Sequence, residues 1–371
     1  MKHAKLSASG SARWLNCTGS VKAEEPFKNT SSAAAQWGTA SHELADICLK
    51  SGDDPLKYIN TIIETILVDE EMVEIVSGYI EYVKSFKGEQ FYEVRLDFSH
   101  LVPDGFGTAD AVVIVDKTLH VIDLKTGRGV VDATKNTQAM LYALGAVEEY
   151  NYLFDIKHVV VHIYQPRIHN FSTWELSLDE LLVFGKYVSV QAKEALSNTA
   201  PRTPSEKACQ WCRAKATCKA LETHTISVLG GDFDDLDDIE PADTLTDEQL
   251  SFVLSNKKLI ESWLKAVEEH VTEKLFEGDK VVGFKLVSGR SSRKWSDNEQ
   301  AQTELISILQ DDAFEKKLIT PAKAEKALGA KRRGDIEHLI IKTIGQPTLA
   351  PESDKRKEIT NNLDDFETIG E

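Results

Sequence analysis

Gly107-Thr108-Ala109-Asp110-Ala111-Val112-Val113-Ile114-Val115 and, just beyond it, Leu119-His120-Val121-Ile122-Asp123-Leu124-Lys125-Thr126-Gly127 form the stretch on which the reading of this chain turns. Residues 109–115 and 119–125 are rich in Val and Ile and read as short strands. Asp116-Lys117-Thr118 supplies a hairpin connection between them. Side chains two apart on a strand share a face, so Asp123 and Lys125 point the same way as Leu119 and Val121. An acid and a lysine on an otherwise apolar face cost desolvation unless they are paired or bind something. Hairpin pairing can bring Asp110 beside Asp123. Two adjacent carboxylates repel, and a divalent cation relieves the repulsion. An isolated Asp-x-Lys is usually an ion pair on a solvated strand face. The apolar surroundings, the upstream Asp110 and the following Thr-Gly weigh against that here. Such a set suits phosphodiester hydrolysis, with a cation to offset phosphate charge and a lysine to orient the attacking water.

Working outward, Thr39 is expected to cap a helix carrying His42, Leu44, Ala45 and Cys48, and a second helix is expected near 62–86. Phe91–Phe98 reads as a strand before the hairpin. A helix over about 134–150 and a strand over His158–Tyr164 follow it, then a helix over Leu181–Ala195. Helix, three strands, helix, strand makes a mixed α/β domain with a central sheet flanked by helices. Beyond Gly230-Gly231 the chain turns acidic, with Asp232, Asp234, Asp235, Asp237 and Asp238, and reads as a linker. Apolar residues from Leu250 to Leu275 then keep helical spacing. Val281–Val287 reads as a strand, and Thr320-Pro321 as a helix start. The expected division is a first domain over 1–225, an acidic linker over 226–245 and a mostly helical accessory domain over 246–371.

Composition bounds the class. The chain has 371 residues and is 42% hydrophobic, enough for a sizeable core. No apolar run reaches bilayer length, and the N-terminal residues lack a secretory pattern, so a cytoplasmic location is expected. The net charge of −17 argues against a nonspecific nucleic-acid coat. It does not exclude an enzyme acting on DNA, because phosphate contacts depend on local Lys and Arg. Arg290, Arg293, Lys294 and Trp295, and Lys331-Arg332-Arg333, are candidate contacts of this kind, although charge runs are as often plain solvated surface. Five cysteines read as metal ligands plus one spare. Cys209-x-x-Cys212-x5-Cys218 with distant Cys17 offers four thiolates for zinc or an iron–sulfur cluster, while Cys48 reads as helix packing.

Gly107-Thr108-Ala109-Asp110 with Ile122-Asp123-Leu124-Lys125-Thr126-Gly127 resembles the RecB-like branch of the PD-(D/E)XK nuclease superfamily, over roughly residues 1–220. The resemblance implies a restriction-endonuclease-like core and hydrolysis of DNA, exonucleolytic in much of the branch, with Mg²⁺ or Mn²⁺. It implies Asp110, Asp123 and the Leu124 carbonyl as cation ligands and Lys125 as the catalytic lysine. His42, in Gly38-Thr39-Ala40-Ser41-His42, matches the branch's N-terminal histidine and becomes a further ligand. Gln138 and Tyr142 match its downstream Gln-x-x-x-Tyr helix, and four-residue spacing puts both on one face. Glu93 matches an acidic position on the preceding strand. The proline of the signature is absent at Ala109-Asp110; nearby Pro103-Asp104 is a rival, and Asp110 is preferred because it enters the apolar 111–115 strand.

One N-terminal cysteine with a Cys-x2-Cys-x5-Cys is similar to iron–sulfur nucleases of the superfamily, including CRISPR-associated ones and AddB. This implies a [4Fe–4S] cluster at Cys17, Cys209, Cys212 and Cys218, with structural zinc as the alternative. The C-terminal third resembles a prophage-associated family. Recombination, repair or phage DNA processing is the implied setting, in a bacterial or phage-infected cell. DNA is the implied substrate, with a helicase, recombinase or single-strand-binding protein as possible partner. The rival reading is a catalytically silent nuclease fold kept as a DNA- or partner-binding scaffold.

Overall fold

A computed structural model describes residues 4–28, 32–230, 247–287, 297–314 and 332–340, with single positions at 320, 321 and 324. Two short helices, α1 (Ser11–Trp14) and α2 (Ser20–Ala23), precede α3 (Ala33–Ser51). A two-residue hairpin, β1 (Ile62–Ile63) and β2 (Ile66–Leu67), leads into α4 (Glu70–Ser85). The sheet then begins with β3 (Glu89–Asp97), β4 (Phe106–Val115) and β5 (Thr118–Leu124). Helix α5 (Thr137–Phe154) crosses to β6 (His158–Gln165), which is followed by β7 (Asn170–Ser177) and α6 (Leu178–Ala195). The cysteine region holds α7 (Glu206–Cys209) and α8 (Lys219–Gly230), and α9 spans Asp247–Phe276.

The five strands lie in sequence order, β3-β4-β5-β6-β7, with every neighbouring pair antiparallel except the parallel β5–β6. That single parallel pair is what the α5 crossover requires, since parallel strands cannot be joined by a tight turn. The sheet is therefore mixed and flanked by helices, as the element pattern predicts.

Alternation along β4 and β5 divides the core into two layers. Val112, Ile114, Leu119 and Val121 pack with Leu141 and Leu144 of α5 and with Leu181 and Val188 of α6. Ala111, Val113, Ile122 and Leu124 pack with Leu44 and Cys48 of α3 and with Met72, Val76 and Tyr79 of α4. Both faces are covered, which is why these strands read as near-continuous apolar runs. Each fully buried Leu, Ile or Val contributes about 1.5–3 kcal/mol relative to exposure.

Helix starts follow side-chain capping. The Ser32 hydroxyl accepts from Ala35 N–H at the head of α3, Asp69 accepts from Met72 N–H at α4, and Asn136 accepts from Ala139 N–H at α5. Ser177 and Glu180 form a reciprocal capping box at α6. Thr39, expected as a cap, instead lies inside α3 with its hydroxyl donating to the Ala35 carbonyl. The helix expected to begin near 62 begins at Glu70: Glu64 and Thr65 adopt positive φ and make the β1–β2 turn.

Strand β7 lies outside the expected elements, and residues 281–287 form no strand. The expected linker boundary also differs from the structure. One compact unit runs from residue 1 to Val282 and a second from Gly283 onward. Helix α9 belongs to the first because Leu259 is buried with Cys17, Ala208, Cys209 and Leu221, and Lys215 donates to Ser262. In the second unit α10 (Asn298–Leu309) starts on an Asp297 cap, and Arg332 pairs with Asp335 in a final short 3₁₀ turn. The acidic run 232–243, Arg290, Arg293, Lys294, Trp295, Lys331 and the tail lie outside the described residues. No helix among the described residues is long and apolar enough to cross a membrane.

Candidate functional site

Strand register builds the site. In the β3–β4 ladder Tyr92 faces Ala111 and Val94 faces Ala109, so Glu93 stands level with Asp110. In the β4–β5 ladder Ala111 faces Ile122, and continuing that register sets Asp110 level with Asp123. Three acidic residues on three neighbouring strands thus form one row at the point where backbone pairing lapses. Two features mark the lapse. Glu93 takes a positive φ of 43°, a conformation that costs a non-glycine residue free energy and that clusters at functional sites. The Leu124 N–H, instead of joining the ladder, donates to Asp110 Oδ2 at 2.7 Å.

From α3, His42 Nδ1 reaches Asp110 Oδ1 at 2.9 Å. His42, Glu93 and Asp110 each offer a ligand atom, all within 4.8 Å of one another, a spacing that suits one cation. Lys125 Nζ forms an ion pair with Asp123 Oδ2 at 2.6 Å and donates to Gln138 Oε1 at 3.2 Å. Gln138 Nε2 in turn donates to the Tyr142 hydroxyl at 3.0 Å, so the two α5 residues act on one face as their spacing predicts. Asp123 is 3% exposed, and its buried Oδ2 is held by the Lys125 ion pair alone, with no well-directed hydrogen bond besides.

The electrostatics follow from this packing. Burial raises the Asp123 carboxyl above its ordinary range; Lys125 opposes the shift and Asp110 adds to it. Burial also acts upward on Asp110, but His42 above all, with Lys125 and the Leu124 N–H, outweighs it and holds that carboxyl below the usual value. Glu93 is pushed up to about 7 by burial and by the Asp110 charge. Burial acts downward on His42 and on Lys125, yet the carboxylates prevail and raise both. Clustered acids whose environments drive their pKa values apart recur both at functional sites and in structural ion-pair networks.

Close approach of elements makes the geometry possible. A Cβ on Gly107 would come within 2.6 Å of the Tyr142 ring, so the Gly-Thr-Ala-Asp strand can lie against α5 only with glycine there. Arg167 also supports the site. It grips Glu71 through two nitrogens at 3.0 and 3.1 Å, donates to the Thr126 carbonyl at 3.2 Å and stacks 3.9 Å above the Trp37 ring. It thereby ties α3, α4 and the turn after Lys125 together. No periodicity or spacing in the sequence marks Arg167.

The four cysteines singled out above line one small pocket, arriving from α1–α2, α7 and the turn before α8. Cys17, Cys209 and Cys218 share an apolar cluster, and Cys212 packs beside Ala23 and Ala214. No three of the sulfurs lie mutually within the 4.8 Å that the His42 set satisfies. Burial raises the Cys17 and Cys209 thiols and pushes Cys212 up to about 11, so without a metal these groups are protonated. Cys48 lies in the α3–α4 core, apart from the others, and burial raises it also to about 11.

The fold and this site define a mixed α/β protein with a histidine–carboxylate group of cation-binding geometry beside a paired lysine. The chain belongs to the DUF2800 family, described as a protein of unknown function, whose sequence profile matches residues 3–357. Among solved structures it is similar to one described as "Crystal structure of SSO0001". The match has 16% identity and a TM-score of 0.29, and covers 59% of this chain and 89% of that one.

Proposed function

We propose that this chain is a divalent-cation-dependent deoxyribonuclease with a PD-(D/E)XK core of the RecB-like branch. The observation that carries the reading is the acidic row Glu93, Asp110 and Asp123, flanked by His42 on one side and by Lys125 on the other. The donor set is one nitrogen and several carboxylate oxygens, the chemistry that hard divalent cations such as Mg²⁺ or Mn²⁺ accept. His42, Glu93 and Asp110 would hold the cation, with Asp123 next to them in the row and paired to Lys125. When bound, the cation neutralises charge on the scissile phosphate and lowers the pKa of water.

The chain's own residues supply the rest. His42 and the Leu124 N–H aim the two oxygens of Asp110. Lys125, charged and steadied by Asp123 and Gln138, orients the attacking water and places a positive charge beside the developing oxyanion. Tyr142 braces Gln138 from the next turn of α5.

Four cysteines facing one pocket support a bound metal group there as well. Tetrahedral zinc, with bonds of about 2.3 Å, sets its sulfurs about 3.8 Å apart. The [4Fe–4S] group is the reading kept here, with zinc as the alternative, and the colour of anaerobically purified protein is the check. A setting in phage or bacterial DNA processing, and a helicase, recombinase or single-strand-binding partner, belong to the same reading.

The decisive experiment is cleavage of linear DNA with and without Mg²⁺ by the wild type and by Lys125→Ala. Activity that needs the cation, and falls a hundredfold or more in the variant while cation binding persists, is the expected result. Equal rates for the two proteins would remove the assignment.

A further inference from the structure

A second polar concavity, with a volume of about 560 Å³, opens beside the cysteine region, in the size range of ligand clefts. Its walls carry Lys5, Arg13 and Arg213, with the hydroxyls of Ser7 and Ser9 and the indole of Trp211. Trp211 sits between Cys209 and Cys212 and is 76% exposed, a large aromatic face displayed to solvent. Two residues further on the chain is anchored: Arg213 N–H donates to Glu24 at 2.8 Å and Arg213 Nη1 donates to the Phe27 carbonyl at 2.8 Å.

The charges are arranged for an anion. Glu24, 3% exposed, is shared by Arg13 at 2.9 Å and Arg213 at 3.4 Å, so two guanidinium groups meet one buried carboxylate. Arg13 Nε is buried without a hydrogen-bond partner. Lys5 pairs with Glu25 at the rim, at 2.7 Å and half-exposed, where the pair is weak and exchangeable. One positive charge is left over on these walls, in a chain whose net charge is −17.

The segment that lines the cleft also packs on β4 and α5, the elements that carry Asp110 and Gln138. Ala8, between Ser7 and Ser9, lies beside Gly107, and Ser11 hydrogen-bonds at 2.7 Å to Thr137, the neighbour of Gln138 on α5.

We infer that this cleft binds single-stranded nucleic acid leading into the carboxylate site, with a base stacked on Trp211 and phosphates held by Lys5, Arg13 and Arg213. A free indole face stacks on an unpaired base of any identity, whereas bases inside a duplex already stack on one another. The cysteine region then does more than staple the chain: it presents the stacking ring. The inference rests on the nuclease reading and adds to it a strand preference and a path.

The test is binding of labelled oligo(dT) in EDTA, where no cleavage occurs, at several salt concentrations. Trp211→Ala should weaken binding about tenfold, and Trp211→Phe should restore most of it. Lys5→Ala should make the salt dependence shallower by about one phosphate contact. Hydrolysis of bis(p-nitrophenyl) phosphate, too short to reach the cleft, should be unchanged in Trp211→Ala. Oligo(dT) binding by Trp211→Ala at wild-type strength would overturn the inference, as would an equal loss with the small phosphodiester or equally tight binding of duplex. If wild type cleaves DNA and Trp211→Ala binds normally, only the cleft falls. If wild type neither binds nor cleaves DNA, the nuclease reading falls with it.

Discussion

Gly107 shows how much one residue can decide here. Its Cα lies where any Cβ would meet the Tyr142 ring at 2.6 Å and crowd Ala8 at 3.3 Å. Gly107→Ala must push α5 or the N-terminal segment away from β4, an overpacking cost of about 1–3 kcal/mol. A lower thermal midpoint is expected, together with a loss of any cation-dependent activity larger than the midpoint alone explains, because Gln138 and Tyr142 move with α5. A variant as stable and active as wild type would show that the strand and helix have room to spare. At the same scale, Asp110 is aimed by one side chain from α3 and one backbone N–H from β5, partners 68 and 14 residues away. The sequence motif names Asp110 and cannot name the aim.

Among the elements, β6 carries a pH-sensitive device away from the carboxylates. His162 is 5% exposed, its Nε2 lies 3.0 Å from His120 Nδ1 on β5, and its Nδ1 lies 2.8 Å from the Tyr82 hydroxyl on α4. Burial, reinforced by His120, pushes His162 down to about 4. The unfolded chain binds this proton near pH 6.5 and the folded chain only near 4, so the unfolded state holds more protons in between. Stability is therefore whole above about pH 6.5 and declines as pH falls, by up to about 3 kcal/mol near pH 4. His162→Gln should flatten the thermal midpoint against pH across that window. The same slope in both proteins would refute the device. Strand β7 teaches a related lesson: in Asn170–Ser177 only Leu176 is fully buried, so an edge strand with one exposed face leaves a faint pattern.

For the whole molecule, the long-range ties are the cysteine pocket and α9. The proposed metal group would join Cys17 to Cys209 and close a loop of about 190 residues, and by the cross-link estimate such closure would restrict the unfolded chain by roughly 5 kcal/mol. Cys17→Ser and Cys212→Ser are expected to lower solubility and thermal midpoint sharply. Cys48→Ala, in the α3–α4 core, should cost only about 1 kcal/mol. A fully soluble and active Cys17→Ser protein would remove the staple. Helix α9 makes a separate prediction, since Leu259 and Ser262 join it to the cysteine region. A chain ending at residue 282 should keep the thermal midpoint of the first unit, whereas one ending at 245 should lose several degrees. Equal midpoints would return α9 to a separate accessory domain.

The apolar runs of β4 and β5, the helix that separates β5 from β6, and Asp110 and Asp123 are legible without coordinates, because strand alternation and helix spacing are local rules that a single chain displays. Glu93 is named only through the family resemblance, and its positive φ by nothing in the sequence. Arg167 over Trp37, the level row of Glu93, Asp110 and Asp123, and the exposure of Trp211 were decided only in the tertiary structure. Each depends on contacts between residues far apart in the chain. Such contacts form when two apolar layers close on both faces of one sheet, and no local spacing encodes which distant side chains that closure brings together.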